Sequence, residues 1–287
     1  MKRMISIIAV LFLLPFNVFV VGAQQDLGYV IAQGQRIKLE HGMDLSGKFI
    51  LHFEPASSNM ILKNVNFDRS NFRYVKELHD IVFVNCSFRE TWLVNLNCLP
   101  ALGSGNDFTG ARISSVGQIH LTREQLESTA SFKDKLLHGM TFNGSDLSGT
   151  DFSGFYLSEI RFRALLDDCD FTDATIIGNC SIGITFEQLQ FTKNYKDGIL
   201  ANLELILKSP KGPADFSRMN LTGCRFGSTE EYQLDLTDSV ISNCDFRYFK
   251  GLTLENVKST WNYKHNRMEG IKLPEEIQKA LDAEKKQ

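Results

Sequence analysis

The stretch MTFNGSDLSGTDFSGFYLSEIRF, residues 140–162, places a large apolar residue at every fifth position: Phe142, Leu147, Phe152, Leu157 and Phe162. Neither a helix of period 3.6 nor a strand of period 2 brings residues five apart to one face. The chain must therefore turn a corner in each five-residue unit, so that every central residue points to one shared axis. This period predicts an architecture and leaves the task of the protein open.

The same period extends through most of the chain, and its flanking positions are as regular as its centre. Asp or Asn stands directly before the central residue, a small residue stands two before it, and Ser or Thr commonly follows, which is the composition of turns. Twelve of the 22 Phe residues occupy the central position, so we expect them to form a core column: Phe67, Phe72, Phe83, Phe88, Phe108, Phe142, Phe152, Phe162, Phe171, Phe216, Phe226 and Phe246.

The units SDLSG, TDFSG, ADFSR, CDFTD and NDFTG resemble those of the pentapeptide-repeat family. The resemblance covers most of residues 43–250, with interruptions, and implies a right-handed, four-sided β-helix in which four units make one coil. On this basis we expect an all-β solenoid: a right-handed quadrilateral β-helix of pentapeptide repeats, with short helical insertions and a C-terminal capping helix.

A longer repeat is superposed on the five-residue units. It begins at Leu121, Ile184 and Leu252, and the aligned Thr122, Thr185 and Thr253 are 63 and 68 residues apart. Thr followed three residues later by Gln or Asn has the spacing of a helix capping box. We therefore predict helical turns within residues 121–136, 184–199 and 252–268, as segments that interrupt the coils and decorate one side. The three copies also align an aromatic residue and a lysine: Phe132, Tyr195 and Tyr263, followed by Lys133, Lys196 and Lys264.

The two ends of the chain differ in composition from the repeat. Residues 1–23 have a basic start, an apolar run and a small-residue exit, which is typical of a cleaved secretory signal peptide, with an uncleaved membrane anchor as the alternative. We assign residues 24–42 to an N-terminal cap of one or two strands and 43–273 to the repeat. Residues 274–287 are predicted to be a helix, opened by Pro274, and a tail. No second apolar stretch is long enough to cross a membrane, and the protein is expected to be secreted or periplasmic.

Six cysteines in an exported chain would normally suggest disulfides. Four of them, Cys86, Cys169, Cys224 and Cys244, occupy the small-residue position two before a central Phe. Cysteine behaves there as a small hydrophobe, so we predict free, stacked thiols. Cys224 and Cys244, one coil apart, would stack at about 4.8 Å, a wider spacing than a disulfide prefers between its Cβ atoms.

The sequence offers no catalytic, metal-binding or cofactor-binding constellation. The six histidines are scattered without metal-ligand spacing. The densest acidic group, Asp167, Asp168 and Asp170, is explained by a repeat position and a slip in register. A net charge of −3 does not favour nucleic acid as a partner.

The sequence therefore predicts a non-catalytic, exported scaffold that presents a surface to an unidentified protein or envelope component, with no cofactor and an open oligomeric state. The alternative is a ligand-binding or enzymatic site formed by the three helical segments with their aromatic and lysine side chains. A minor alternative is an inhibitor that mimics DNA, since the pentapeptide-repeat resemblance implies such members. Arginines next to the acidic positions, and the export signal, weigh against that alternative.

Overall fold

The structure is a computed structural model that describes residues 26–75, 78–96, 105–208, 211–228 and 230–284. The predicted signal peptide, residues 1–23, and Cys98 lie outside the described residues. The strands of the first half are β1 (Tyr29–Ala32), β2 (Gln35–Lys38), β3 (Ile50–Glu54), β4 (Met60–Lys63), β5 (Ile81–Val84), β6 (Trp92–Leu96), β7 (Arg112–Val116), β8 (Leu136–His138) and β9 (Thr141–Asp146). Those of the second half are β10 (Tyr156–Ser158), β11 (Arg161–Leu165), β12 (Thr175–Ile177), β13 (Ser181–Thr185), β14 (Glu204–Lys208), β15 (Ala214–Asp215), β16 (Arg225–Ser228), β17 (Leu234–Asp235) and β18 (Asp245–Tyr248).

In the part of the chain that the structure describes, helices occur as three pairs and one longer helix near the C-terminus. They are α1 (Arg123–Ser128) and α2 (Ala130–Lys133), α3 (Phe186–Phe191) and α4 (Lys193–Lys196), α5 (Leu254–Ser259) and α6 (Trp261–Lys264), and α7 (Glu275–Glu284). In the described ranges, one 3-10 turn is present, at Leu78–Asp80. The expectation of an all-β solenoid, a right-handed quadrilateral β-helix, is wrong. The fold has mixed helix and strand content, with several separate parallel sheets, one of them of six strands.

The strands pair mainly with segments one repeat length away. The six-stranded sheet has the order β18-β16-β14-β13-β11-β9, a three-stranded sheet has the order β12-β10-β8, and three further sheets contain two strands each. Residues that face each other in these parallel ladders lie 19 to 23 positions apart in the sequence. We call each such segment a row, and successive rows stack through the ladders. Only the sheet of β2, β1 and β3 is antiparallel among the described strands.

The central residues of the five-residue units form the core, as predicted. All twelve Phe residues of the core column are buried, with at most 6 % of their surface exposed. Rings in successive rows stack face to face, for example Phe88 on Phe108 at 5.3 Å and Phe226 on Phe246 at 4.8 Å between centroids. Continuous burial of this kind is the main stabilising contribution to the fold.

The positions around each central residue also behave as the sequence indicates. The Asp or Asn before it accepts a hydrogen bond from the backbone N–H two residues later, at 2.8 Å for Asp151 and Asp215 and 2.9 Å for Asp107. These are Asx turns, which build the corner locally. In the small-residue position, Ser70 and Thr91 are fully buried and their hydroxyls donate to backbone carbonyls. The five described cysteines are free and buried, which confirms the prediction for Cys86, Cys169, Cys224 and Cys244.

The three helical segments begin with the capping boxes that the sequence predicts. They do not decorate the outside, however, because each takes the place of a repeat unit within its row. Their apolar residues Leu126, Leu189 and Val257 are buried in the core. Backbone hydrogen bonds join each helical segment to the preceding row, as from Lys193 N–H to the Ala174 carbonyl at 2.9 Å. A helix pair in place of a flat unit interrupts strand pairing on its own side of the row, while the six-stranded sheet continues directly from β13 to β14 across α3 and α4.

Candidate interaction face

The aromatic residues of the three helical segments pack into the core beside their own segments. The Phe132 ring lies 4.7 Å from that of Phe155, and Tyr195 lies 5.6 Å from Phe186, between centroids. The Tyr195 hydroxyl donates to the Asp215 carbonyl at 2.6 Å. Tyr263 is partly buried against the same core. At 63 to 68 residues apart, the three rings lie about three rows or ~14 Å from one another. They support their own rows and do not converge.

The lysines that follow these aromatics are exposed, and two of them bind carboxylates of the preceding row. Lys196 Nζ lies 2.7 Å from Asp173, and Lys264 Nζ lies 2.7 Å from Asp238. These hydrogen bonds hold the pKa of both carboxyl groups below its ordinary value. The equivalent position in the first copy is Gly110, which has no carboxylate to offer Lys133. The lysines thus belong to contacts between rows.

The acidic residues before the central positions are used by the backbone. Hydrogen bonds from the following Ser or Thr hold the pKa of Asp146, Asp151 and Asp235 below its ordinary value. Asp170 is one of these turns, with Thr172 N–H at 2.8 Å. Arginines interrupt the acidic surface, as where Arg247 forms a salt bridge of 2.7 Å with Asp245. Within the described ranges, no group of three His, Cys, Asp or Glu side chains is arranged to hold a metal ion.

Where the helices interrupt strand pairing, three side chains form hydrogen bonds with the backbone groups that a neighbouring strand would otherwise bind. Asn194 accepts from Ile176 N–H at 2.6 Å and donates to the carbonyls of Ile176 and Ile199, at 2.9 and 3.3 Å. Asn262 is fully buried. Its side chain accepts a hydrogen bond from Ile241 N–H at 2.7 Å and donates one to the Arg267 carbonyl at 2.9 Å. Ser131, at the aligned position, bonds to both backbone groups of Ile113. Each side chain therefore stands in for a strand backbone between two rows.

With these repairs, one sheet face continues through ten rows. We number the rows along the chain from row 1, which contains Phe49, to row 10, which contains Val240. Direct strand pairing connects rows 1 to 4, rows 5 to 7 and rows 8 to 10. Rows 4 and 5 meet at the Ile119–Phe142 bridge, and rows 7 and 8 meet where β13 pairs with β14. In row order, the outward residues of its first column are Phe49, Asn71, Trp92, Arg112, Leu136, Tyr156, Thr175, Ile199, Asn220 and Val240. The second column, two residues further along each strand, is Leu51, Arg73, Val94, Ser114, His138, Ser158, Ile177, Ala201, Thr222 and Ser242.

None of these twenty positions is Asp or Glu, and we call this surface the carboxylate-free face. It carries seven of the twelve large apolar residues that are exposed in the described part of the chain: Phe49, Leu51, Trp92, Leu136, Tyr156, Ile177 and Ile199. Their exposed fractions range from 36 % to 53 %. Large apolar surface of this extent on one face is the usual mark of an interaction site.

Trp92 is the most constrained of these exposed side chains. The guanidinium carbons of Arg73 and Arg112 lie 4.5 and 5.5 Å from the centroid of its ring, and they come from the rows on either side. Arg112 is itself fixed by a salt bridge of 2.6 Å to Asp134. Cation–π contacts of this kind hold the indole upright between two guanidinium groups. The ring is therefore presented in one orientation, with its faces covered.

Sequence reasoning missed this face, although a signal for it exists. The position before the central residue is Asp or Asn in most units, whereas Phe49, Trp92, Leu136, Tyr156 and Ile199 are large apolar residues at that position. These five exceptions belong to five different rows, and in each row they fall in the same unit, the one that forms this face. They become visible as a surface only when the rows are numbered correctly through the helical segments.

Comparisons with known proteins leave the chain unassigned: no protein-family model matches it, and no curated protein matches it. The resemblance to the pentapeptide-repeat family rests on the units themselves and stays a prediction. Among the described residues, no helix is both long enough and apolar enough to span a membrane.

Proposed function

We propose that this chain is a non-catalytic, exported binding scaffold whose carboxylate-free face docks a protein partner. The observation that carries the proposal is the grouping of seven exposed large apolar residues on a face whose twenty outward positions include no Asp or Glu, with the Asp134 carboxylate bound to Arg112 beside it. Protein interfaces are depleted in Asp, Glu and Lys and enriched in Trp, Tyr, Phe and Arg at their centres. This face has that composition, with Arg73, Trp92 and Arg112 in rows 2 to 4 and Tyr156 in row 6.

The packing of the helical segments weighs in favour of this proposal over its alternatives. A ligand or enzymatic site formed jointly by the three segments would need Phe132, Tyr195 and Tyr263 to converge, and each packs against its own row. A mimic of DNA would need a free, continuous acidic surface, whereas the repeat carboxylates are bound in turns and paired with arginines. A carbohydrate that stacks on an aromatic platform would need a free face of Trp92, which the guanidinium groups of Arg73 and Arg112 cover.

Residues 2–23 support export, since their basic, apolar and small-residue regions follow one another as in secretory signals. We expect the exported protein to begin at Gln24, and its intact mass tests this directly. A mature protein that retains residues 1–23 would contradict the cleavage.

The docking proposal is tested by photo-cross-linking in cells that produce the protein. A photoreactive amino acid replaces Tyr156, which is 44 % exposed on the carboxylate-free face, or Ile61, which is 45 % exposed in the separate sheet of β4 and β5. We expect a covalent protein adduct from position 156 and none of the same size from position 61. Absence of adducts from position 156, or equal adducts from both positions, would contradict the proposal.

A further inference from the structure

The first column of the carboxylate-free face has an order of apolar and polar residues that reads the same in both directions. Along its first column, rows 1, 3, 5, 6, 8 and 10 carry Phe49, Trp92, Leu136, Tyr156, Ile199 and Val240. Rows 2, 4, 7 and 9 carry the polar residues Asn71, Arg112, Thr175 and Asn220. The pattern is therefore symmetric about the midpoint between Leu136 and Tyr156, which are also among the most exposed of its apolar side chains.

A surface with this symmetry is complementary to itself. Two copies that meet face to face can be related by a two-fold axis that lies between the faces, parallel to the strands. This axis places row 1 against row 10, row 3 against row 8 and row 5 against row 6, so that each apolar residue of the first column meets an apolar residue. In the second column, Leu51 meets Ser242 and Ile177 meets Ser114. Such an isologous contact is the commonest arrangement in homo-oligomers.

We propose that the occupant of the carboxylate-free face is a second copy of this chain, docked about that two-fold axis. The inference rests on the proposed function, because it names the partner of the same face. At its centre, Leu136 of each copy packs on Tyr156 of the other. Trp92, held between Arg73 and Arg112, packs on Ile199, and Phe49 packs on Val240.

The positive charges on the face select this arrangement over the other face-to-face dimer. A two-fold axis along the stacking direction would place each row on itself, so that Arg73 would lie in the same row as the Arg73 of the other copy, about one column to the side. Like charges brought together in an interface cost several kcal/mol. The axis parallel to the strands instead places Arg73 opposite the row of Asn220 and Thr222. It places Arg112, which keeps its salt bridge to Asp134, opposite the row of Thr175 and Ile177, where the Thr175 hydroxyl can accept a further hydrogen bond.

The area of the face suits a stable dimer. Ten rows about 4.8 Å apart extend for about 43 Å, and the outward side chains of one strand cover a width of roughly 15 Å. The product is about 650 Å² for each copy, which approaches the roughly 800 Å² that each partner buries in a standard protein interface.

The first test measures the mass of the purified mature protein by sedimentation over a range of concentrations. We expect a dimer whose dissociation constant rises by about a hundredfold or more in Tyr156→Lys, because two new positive charges meet close to the axis. The matched control is Ile61→Lys, an equally exposed change outside the face, which leaves dimerisation unaltered. A protein that stays monomeric up to about 100 µM would overturn the inference, since interfaces of this area bind in the micromolar range or tighter.

The second test reads the register of the dimer. Phe49→Cys and Val240→Cys are prepared separately and treated with a short bis-maleimide, alone and as a mixture. We expect covalent dimers in the mixture only, because row 1 meets row 10 of the other copy and lies about 43 Å from the other row 1. Cross-linking of Phe49→Cys with itself would overturn the proposed axis.

The outcomes separate the inference from the proposed function. If the protein is monomeric but position 156 cross-links to a different protein in cells, the face docks a partner that is not a second copy. If position 156 gives no adduct of any kind and the protein is monomeric, both the inference and the docking function fail.

Discussion

Burial in the small-residue position raises the pKa of the Cys169 thiol to about 11 and that of the Cys224 thiol to about 12. The Cys224 thiol donates to the Leu200 carbonyl at 2.6 Å, and Cys244 donates to the Leu221 carbonyl at 2.8 Å. Each thiol thus has a backbone partner one row below and no access to water. The position accepts Cys for the same reason that it accepts Ala111 or Ser70: little volume is available.

These thiols predict how stability depends on pH. A raised pKa in the folded state means that the unfolded chain releases its protons first as the pH rises. The free energy of unfolding should therefore hold up to about pH 8.5 and then fall, by about 1.4 kcal/mol per pH unit for each such thiol. Urea titrations between pH 7 and pH 11 measure this slope. Cys224→Ala, a residue that the position accepts elsewhere, should show a shallower slope, and an unchanged slope would contradict the assignment.

Gly251 occupies a position where both the backbone conformation and the close approach of another chain segment require glycine. Its φ is +92°, and an added Cβ would lie 2.1 Å from the carbonyl oxygen of Tyr232, a backbone atom that cannot move aside. Gly42 has a similar φ of +73° but open space around its Cα. We expect Gly42→Ala to cost about 1 kcal/mol through backbone strain alone, and Gly251→Ala about 3 kcal/mol. Equal losses in chemical denaturation would show that the close approach to Tyr232 is unimportant.

At the scale of elements, the helix pairs are part of the stack because side chains complete the ladder around them. Asn262 is fully buried and bonds to Ile241 N–H and the Arg267 carbonyl. Asn262→Leu keeps the volume but leaves both backbone groups without their partner. We expect a loss of about 2–4 kcal/mol in the free energy of unfolding.

Asn194 provides a graded comparison for this prediction, since it makes equivalent contacts but is only partly buried. Water can replace part of what its side chain supplies, so Asn194→Leu should cost about 1–2 kcal/mol. Both variants are compared by urea denaturation with the unmodified protein. A larger loss for Asn194→Leu than for Asn262→Leu would contradict the role of burial.

The elements differ in how far sequence could predict them. The capping boxes at Thr122, Thr185 and Thr253 are local signals, so the helix starts were predictable. Their integration into the rows was not, because it depends on Ser131, Asn194 and Asn262 reaching across to another row. The all-β expectation failed for this reason: a five-residue period describes the units that obey it, and the helix pairs that replace units carry a different local signal.

At the scale of the whole molecule, the core column was predictable from one period, whereas the carboxylate-free face was not. The central Phe residues share one position in every unit, so their burial follows from the repeat alone. The face consists of residues that depart from the repeat, because they are large and apolar where most units have Asp or Asn. Two of them, Trp92 and Tyr156, lie 64 residues apart in the sequence. Their alignment depends on how many residues each row contains, and the helix pairs change that number.

The open end of the stack is the last feature that concerns the whole molecule. Helix α7 covers it with Ile277 and Leu281, both buried, and the Glu284 carboxylate meets Lys258 Nζ of α5 at 2.6 Å. An uncovered final row would offer unpaired strand groups to other chains. The helix therefore contributes both stability and protection against association through the end.

Ile277→Asp tests this role, because a buried carboxylate without a partner forces α7 away from the final row. We expect a loss of about 2–4 kcal/mol in the free energy of unfolding and a rise in light scattering with concentration, as uncovered ends associate. Glu284→Gln removes only an exposed ion pair and should change neither measurement appreciably. Association through the end adds copies without limit, whereas the contact proposed for the carboxylate-free face closes at two. We therefore expect Ile277→Asp to form particles larger than a dimer, and we expect these particles to persist in the double variant with Tyr156→Lys. If the particles disappear in the double variant, association through the end of the stack is contradicted.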